Sequence, residues 1–468
     1  MDAPNLLLFS RFPPLTTVFA KNALLKNGWA QDVRLRISDG LIQSVESNAK
    51  TEAGDIVEEL VIPGIANAHS HAFQRALVGH TEARGPKASD NFWSWRTQMY
   101  RLANAITADE LYSIACQLYT EMVSFGYTSV AEFHYLHGSD SGPGRSLEMF
   151  SALERAAEDS GIRLTYVPIL YERSGFDNDR PRGEQIRFTM TIEEFVEHYE
   201  QVRESSNSTV IVGLGAHSLR AVRGESLSEL VRIAKRDGCP MHIHISEQTA
   251  EVEQCIEQHN ARPIEWLLQE FPVESNWCLV HATHASDKEL ELLAKTHAIV
   301  CLCPSTEANL GDGIFPLNTW LGHEGRVAIG SDSHVGVNPF EELRWIEYEQ
   351  RLMNRARNVA NFEDSHMGRG LFQTVVKGGA LACGHRKHHL SPGSYADLIA
   401  LDESHPVLMG HSSDSILDAL VFSGYSLPID RVMMGGEWYV TNGVHNRAQI
   451  NSCRYREVIH KLWETTPS

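Results

Sequence analysis

The stretch NAHSHAFQ, residues 67–74, places two histidines one residue apart, shortly after an apolar run and a Pro63–Gly64 break. In an extended chain the side chains at positions i and i+2 point the same way, so His69 and His71 can offer two imidazoles to one metal ion. Taken alone, the pair is equally compatible with ordinary loop polarity. Other potential ligands in the chain must decide between the two interpretations.

Four later apolar runs also end in polar side chains. The polar residues are His217 and Arg220 in GLGAHSLR, His244 and Glu247 in MHIHISEQ, His281 in CLVHATH, and Asp332 in VAIGSDSH. A single histidine at a strand end is more often a hydrogen-bonded structural residue, but several at one barrel mouth favour a metal site. Three neutral imidazoles and one carboxylate suit zinc and leave a position for water, so we assign the ligands as His69, His71, His244 and Asp332.

The lysine pattern predicts a single ion. Two-metal barrels of this design commonly bridge their ions with a carbamylated lysine on the fourth strand, and the sequence has no lysine between Lys87 and Lys235. One zinc ion acidifies its bound water toward neutrality and so prepares it to attack a trigonal carbon. Iron in place of zinc is left open by the sequence.

Three residues are assigned to the chemistry itself. Glu247 follows His244 by three positions, where it can take a proton from the water and return it to a leaving nitrogen, with Asp332 assisting. The alternative for Glu247 is a carboxylate at a helix N-terminus. His281 is either a further metal ligand or a polarising group, and we favour the second because four ligands are already assigned.

These residues require a scaffold that brings strand ends together. Eight β-like apolar runs alternate mostly with helix-like stretches such as 108–127 and 226–238, which predicts a (β/α)8 TIM barrel. The runs lie near residues 61–66, 127–133, 163–170, 209–215, 240–246, 277–282, 297–303 and 325–331.

Short strands at both chain ends predict a second, smaller unit. Residues 15–60 contain alternating apolar positions and an Asp39–Gly40 hairpin signal, and similar strands return after about residue 390. The fold class is therefore α/β, a TIM barrel with a small β-sandwich domain built from both ends. The predicted division is 1–60 and 386–468 for the small domain and its tail, and 61–385 for the barrel.

Composition narrows the class of partners. The 468 residues carry a net charge of −19, which disfavours nucleic acid and leaves any anionic substrate dependent on local arginines. No window approaches the ~18 uninterrupted apolar residues of a membrane span, and the first residues lack signal-peptide features, so we expect a cytoplasmic protein that does not bind membranes. Eight scattered cysteines, including the close pair Cys301 and Cys303, favour reduced, buried thiols.

The motifs in this order resemble the amidohydrolase superfamily, and in particular its mononuclear deaminases. More specific stretches are similar to the formimidoylglutamate deiminases of histidine degradation: FWSWRTQMY, AEFHYLHG, GAHSLRAV and CPSTEANLGDGIFPL. The resemblance implies hydrolysis of N-formimino-L-glutamate to N-formyl-L-glutamate and ammonia. It also makes a homodimer plausible.

The resemblance further implies a set of substrate contacts: Gln74, Arg96, Tyr135, His217 and Arg220. Two arginines suit a small anionic substrate with two carboxylates, because a guanidinium binds a carboxylate through two parallel hydrogen bonds. Structural alternatives remain for some of them. The alternative for Arg96 is a structural lid with Trp93 and Trp95, and the alternative for Tyr135 is a hydrogen bond that closes a strand end.

Two other functions stay open at this level. A related deaminase acting on a ring such as guanine or cytosine would use the same metal chemistry in a flatter, less cationic pocket. A non-catalytic barrel that binds a partner would retain the fold alone. Arg96 and Arg220 argue against the first alternative, and the complete set of ligands with Glu247 argues against the second.

Overall fold

The computed structural model describes residues 15–83, 91–138, 146–207, 209–360, 362, 364–385, 387–424 and 426–464. The strands are β1 (Thr16–Leu25), β2 (Gly28–Ser38), β3 (Leu41–Glu46), β4 (Ile56–Pro63), β5 (Ile65–Ser70), β6 (Tyr127–His134), β7 (Arg163–Leu170), β8 (Ile211–Val212), β9 (Leu214–Ser218), β10 (Met241–Ile245), β11 (Trp277–His281), β12 (Ile299–Leu302), β13 (Arg326–Ile329), β14 (Leu398–Leu401), β15 (Ile429–Met434), β16 (Glu437–Thr441) and β17 (Val444–His445).

Helices connect most of these strands. They are α1 (Phe92–Ala105), α2 (Ala108–Ser124), α3 (Glu148–Ser160), α4 (Ile192–Ser205), α5 (Gly224–Asp237), α6 (Thr249–His259), α7 (Pro263–Glu270), α8 (Asp287–Ala294), α9 (Pro304–Leu310), α10 (Leu317–Gly322), α11 (Pro339–Asn354), α12 (Met367–Ala382), α13 (Ile416–Phe422) and α14 (Ala448–Glu464), with 3-10 helices at Ala72–Leu77 and Gly183–Phe188. Among the described residues, no helix is both long and apolar enough to cross a membrane.

The barrel consists of eight parallel strands in the order β5-β6-β7-β9-β10-β11-β12-β13. A parallel bridge between Ser70 and Asp332 joins the two ends of this succession, and β8 adds a short pairing to β7. Every residue of β5, β6, β10 and β11 is buried, as expected for parallel strands covered by helices. The predicted fold class is confirmed.

The smaller sheet joins the two chain ends in the order β17-β16-β15-β14-β4-β1-β2-β3. Its strands pair antiparallel except for β1 with β4, and β4 pairs with β14 from the distant end of the sequence, Pro63 lying opposite Leu398. Val18, Leu35 and Met433 belong to a core of its own. The residue limits predicted for the domains stay a prediction.

Two strand predictions need correction. The run 61–66 spans two strands, because Gly64 separates the end of β4 from the start of β5 and so passes the chain from the small sheet to the barrel. The run 209–215 lies too early, since the fourth barrel strand is β9. Glycines at 213 and 215 obscured its start, and the polar residues at its end resembled a loop.

The helix predictions agree more closely with the structure. The helix α2 begins after Thr107, whose hydroxyl accepts the backbone N–H of Glu110 while the Glu110 carboxylate accepts the backbone N–H of Thr107. This capping box satisfies two N–H groups that have no partner within the helix. The helix α5 ends at Gly238, which adopts the left-handed conformation with φ of +61°.

Close approach of α12 to the last barrel strand depends on Gly378. A Cβ atom there would lie 1.9 Å from the carbonyl oxygen of Val327 in β13. We expect Gly378→Ala to lower the free energy of unfolding by about 3 kcal/mol, because backbone must move to relieve the clash. Denaturant unfolding measures this. Gly322→Ala is the control, since a Cβ there has open space, and equal stabilities of the two variants would contradict the packing argument.

Candidate metal and catalytic centre

Three imidazoles meet at the carboxyl end of the barrel. The Nε2 atom of His69 lies 3.2 Å from Nε2 of His71 and 3.0 Å from Nε2 of His244. The Asp332 carboxylate completes the group, with Oδ1 3.3 Å from His71 Nε2 and 3.6 Å from His69 Nε2. The four ligands predicted from the sequence therefore converge on one point, although their role as ligands stays a prediction.

The protonation of these rings suits a cation. His71 Nδ1 donates to the carbonyl oxygen of Phe133 at 2.8 Å, so its Nε2 presents a lone pair. His69 Nε2 carries at most one proton and satisfies only one of its two imidazole neighbours. Burial lowers the pKa of His69 and His244, and lowers that of His71 to about 3, which keeps the three rings neutral. Neutral rings with converging lone pairs fit a zinc ion.

Backbone hydrogen bonds hold the ligand strands in register. The Asp332 N–H donates to the carbonyl oxygen of His69, and the His71 N–H donates to that of Asp332, both at 3.1 Å. Asp332 adopts a left-handed conformation with φ of +46°, and His281 does so with φ of +70°. Such strain in residues other than glycine is concentrated at functional sites, where the surrounding structure enforces it.

His281 lies beside this group and is oriented by Glu307. Its Nδ1 is 3.0 Å from Glu307 Oε1, and its Nε2 is 3.8 Å from Asp332 Oδ2. Burial alone would lower the pKa of His281, but the charge of Glu247 and the hydrogen bond to Glu307 raise it to about 10. His281 is thus a cationic donor at neutral pH, which agrees with a polarising group better than with a ligand.

Glu247 is buried at the rim of the same cavity, two residues after β10 ends. Burial raises its pKa, whereas the positive charges of His281 and Arg220 oppose the rise. It is not the first residue of a helix, because α6 begins at Thr249. A buried carboxylate with a raised pKa accepts and returns a proton more readily near neutrality than an exposed one.

The two arginines predicted to bind substrate both line the cavity. Arg220 is buried, and among the described residues no ion pair joins its guanidinium or that of Arg96 to a carboxylate. The Arg96 guanidinium carbon lies 4.3 Å from the ring centre of Trp93, and burial and the Arg220 charge lower its pKa. Burial opposes the charge of Arg220, whereas the charges of Glu251 and Glu247 favour it and raise its pKa. Two close cations that form no ion pair with these carboxylates make a site for the carboxylates of a substrate.

The other three predicted contacts also line the cavity. Gln74 donates its amide to the Tyr135 hydroxyl at 2.9 Å, and the Gln74 carbonyl oxygen has no partner among the described residues. His217 packs its ring edge against Tyr135 and against the ligand His244. Burial lowers the pKa of His217, as does the nearby charge of Arg220, so this ring is neutral.

Several lining residues were not found from the sequence. They are Phe92, Trp95, Met99, Tyr100, Tyr171 and Leu310. Gln185, from a 3-10 helix, donates its amide to the hydroxyls of both Tyr100 and Tyr171 and so joins α1 to the end of β7. Aromatic spacing in α1 was the only available signal. The role of Glu307 was also missed, because its link to His281 is a tertiary contact.

The cavity is lined by charged groups of both signs. Arg96 and Arg220 supply guanidinium groups, and Glu247 and Asp332 supply carboxylates beside the imidazoles. Such a lining offers partners both to the carboxylates of a substrate and to a basic, trigonal carbon–nitrogen group.

Zinc should stabilise the fold through these ligands. We expect added zinc to raise the melting temperature, corresponding to about 4 kcal/mol when free zinc is 1,000 times the dissociation constant. His244→Ala should remove most of the effect, whereas His217→Ala, which deletes the same kind of ring from the same cavity, should retain it. Calorimetry of chelator-treated protein measures the shift. A full shift in the His244 variant would exclude this residue as a ligand.

The site and barrel define the class of protein. The amidohydrolase family model matches residues 60–439, and the model of the N-terminal domain of formimidoylglutamate deiminase HutF matches residues 15–58. The chain belongs to the amidohydrolase family. A crystal structure of an amidohydrolase from Brucella melitensis superposes with a TM-score of 0.92 at 38% identity, covering 96% of this chain and 100% of that one.

Within this family, the sequence is similar to one curated activity in particular. It is 40% identical over 455 residues to the formimidoylglutamate deiminase of Pseudomonas aeruginosa, covering 96% of this chain and 100% of the relative. The 5'-deoxyadenosine deaminase of Methanosphaera stadtmanae is 22% identical over 90% of this chain and 93% of its own. The resemblance to formimidoylglutamate deiminases that the motifs predicted is confirmed.

More distant structures share the fold. Atrazine chlorohydrolase from Arthrobacter aurescens, solved with zinc, superposes with a TM-score of 0.82 at 18% identity, covering 95% of this chain and 100% of that one.

Proposed function

We propose that the protein hydrolyses N-formimino-L-glutamate to N-formyl-L-glutamate and ammonia. The observation that carries the proposal is the lining of the cavity, which combines Arg96 and Arg220 with Glu247 and the imidazole cluster. The substrate matches this lining, because its two carboxylates are anionic and its formimino group is a basic amidine. The name of the Pseudomonas relative supports this choice of substrate.

The residues divide the task between binding and proton transfer. Arg220 and Arg96 each hold one carboxylate, and Gln74, Tyr135 and His217 contact the chain between the two ends. This places the formimino carbon beside His69, His71, His244 and Asp332. A zinc ion held by these four would supply Lewis acidity and an acidified water.

Proton movement is the work of Glu247, with Asp332 assisting. Glu247 takes the proton released by water and passes it to the formimino nitrogen, so that the carbon–nitrogen bond breaks and ammonia leaves. His281, held by Glu307, donates to the charge that develops beside the reacting carbon. The carbon gains an oxygen and loses a nitrogen, which converts the formimino group to a formyl group.

The proposal includes features carried over from the sequence. These are one zinc ion, with iron as the alternative metal, a homodimer, and a place in the cytoplasm as an enzyme of histidine degradation. Hydrolysis of a purine or pyrimidine ring is the weaker candidate, because a neutral ring leaves the two arginines without a partner.

Ammonia release by the purified, zinc-loaded protein tests the proposal. N-formimino-L-glutamate should be the preferred substrate, with guanine, cytosine and a formimino compound lacking the side-chain carboxylate as controls. Release from a ring substrate alone would retain the metal centre and overturn the assignment of the arginines. Silence with zinc bound would overturn the proposed reaction.

A further inference from the structure

A second group of metal-ligating atoms lies behind the first. His281, Cys303 and Glu307 each offer one ligand atom, these atoms all lie within 4.8 Å of one another, and the three residues are buried. They come from the end of β11, the residue after β12 and the first turn of α9. We propose that this cluster binds a thiophilic divalent cation, such as Zn²⁺ in excess or Cd²⁺, and that its occupation inhibits the enzyme.

The donor set is chemically suited to such an ion. An imidazole nitrogen, a thiolate and a carboxylate are all ligands that zinc accepts in proteins. The Nδ1 atom of His281 and Oε1 of Glu307 are 3.0 Å apart, and the same oxygen accepts the backbone N–H of Cys303 at 2.9 Å. One short loop therefore presets two of the ligands, and β11 supplies the third.

The thiol of Cys303 faces the barrel interior. A Cβ atom built on Gly330 would lie 3.0 Å from Cys303 Sγ and 2.6 Å from the Cβ of His69. Sγ thus lies close to the residue that follows β13 and to His69 of β5. This places the two clusters side by side, with His281 Nε2 facing Asp332 and His281 Nδ1 facing the second cluster.

The local charge favours another cation. Asp312 is buried near Glu307, and its Oδ2 has no hydrogen-bond partner among the described residues. Burial, together with the charges of Glu247 and Glu307, raises the pKa of Asp312 to about 9. The raised pKa of Asp312 reflects repulsion by the Glu247 and Glu307 charges in addition to burial, and a divalent ion would relieve that repulsion.

Binding displaces protons and not protein groups. The ion replaces the proton on His281 Nδ1 and the thiol proton of Cys303, both of which pass to solvent. His281 Nδ1 is then bound to the ion instead of to Glu307, so the ring is no longer held in the position that polarises the substrate. The inhibitory effect therefore rests on the proposed function, whereas binding does not.

Cadmium titration tests the site without turnover. The zinc-loaded protein, in a Cys453→Ser background that removes the exposed thiol, should gain an ultraviolet thiolate-to-cadmium absorbance with one equivalent of Cd²⁺. His69, His71, His244 and Asp332 contain no sulfur, so cadmium that displaces zinc there adds no such band. Cys303→Ala should abolish the band. Cys301→Ala, which removes an equally buried thiol from the same small core, should retain it.

Inhibition provides the second readout. Zinc beyond the first equivalent should inhibit the parent and the Cys301 variant, and Cys303→Ala should need about 100-fold more zinc or greater for the same inhibition. If the alanine variant fails to fold, Cys303→Ser preserves the side-chain volume and should also lose the band. A band that survives loss of Cys303, or its absence from the parent, would overturn the site. A band without activity on N-formimino-L-glutamate would instead refute only the proposed reaction.

Discussion

Glu247→Gln should abolish most turnover while leaving zinc binding intact. General acid–base catalysis contributes roughly 10²–10⁴-fold to a rate, and Glu247 is assigned both the uptake and the return of the proton. Glutamine preserves the size of the side chain but neither accepts the proton nor carries the charge. Steady-state kcat and the zinc content of the purified variant are the measurements.

The matched control for this variant is Glu251→Gln. Glu251 is also buried, and its carboxylate accepts the backbone N–H of Ser246 at 3.2 Å, but it does not line the cavity. Its substitution should change stability more than kcat. Near-normal turnover in Glu247→Gln would remove that residue from the mechanism, and loss of zinc from the same variant would reassign it as a structural support of the metal centre.

Arg220→Gln should lower kcat/KM for N-formimino-L-glutamate by about 10³-fold, corresponding to about 4 kcal/mol, as expected when one partner of a buried charge pair is removed. The guanidinium is buried and has no ion pair with a carboxylate among the described residues, so the substrate would be its acidic partner. Arg96→Gln should cost less, because this side chain is only half-buried and also stacks on Trp93.

Comparison of two substrates distinguishes a loss of substrate binding from a loss of folding in the arginine variants. A formimino compound that lacks the side-chain carboxylate should react slowly with the parent protein. When the arginine that holds this carboxylate is substituted, the kcat/KM for this compound should fall much less than the kcat/KM for N-formimino-L-glutamate. The melting temperature of Arg220→Gln should fall only modestly, since no ion pair within the protein is broken and only the longer-range attraction of Glu251 and Glu247 is lost. An equal loss with both substrates would show that neither arginine discriminates the side-chain carboxylate.

The sequence predicted the metal ligands of this site more completely than the other residues that line the cavity. His69, His71, His244 and Asp332 follow apolar strands, and parallel strands in a barrel end on the same face, so their convergence follows from the pattern. Tyr100 and Tyr171 are joined through Gln185, which lies 85 residues from the first and 14 from the second. No local pattern encodes such a contact.

The missed details share a physical cause. The predicted strand limits were wrong where the chain passes from one sheet to the other at Gly64, because an apolar run continues across this junction. The left-handed conformations of His281 and Asp332 were also beyond prediction, since aspartate and histidine adopt them more often than most residues but still only uncommonly. The hydrogen bonds between the backbones of Asp332, His69 and His71 form only when the first and last barrel strands are adjacent.

Because the first and last barrel strands pair with each other, the metal ligands are synthesised at widely separated times. His69 and His71 leave the ribosome with β5, whereas Asp332 follows only after seven more barrel strands, roughly 10–50 s later at ~5–20 residues per second. The edge of β4 stays unpaired for longer still, because its neighbour β14 is synthesised after β13. During this interval an exposed strand edge can pair with a wrong strand, and the set of metal ligands is incomplete. Stable metallation is therefore a late event in biogenesis, and chaperones that shield these edges should determine the yield of active protein.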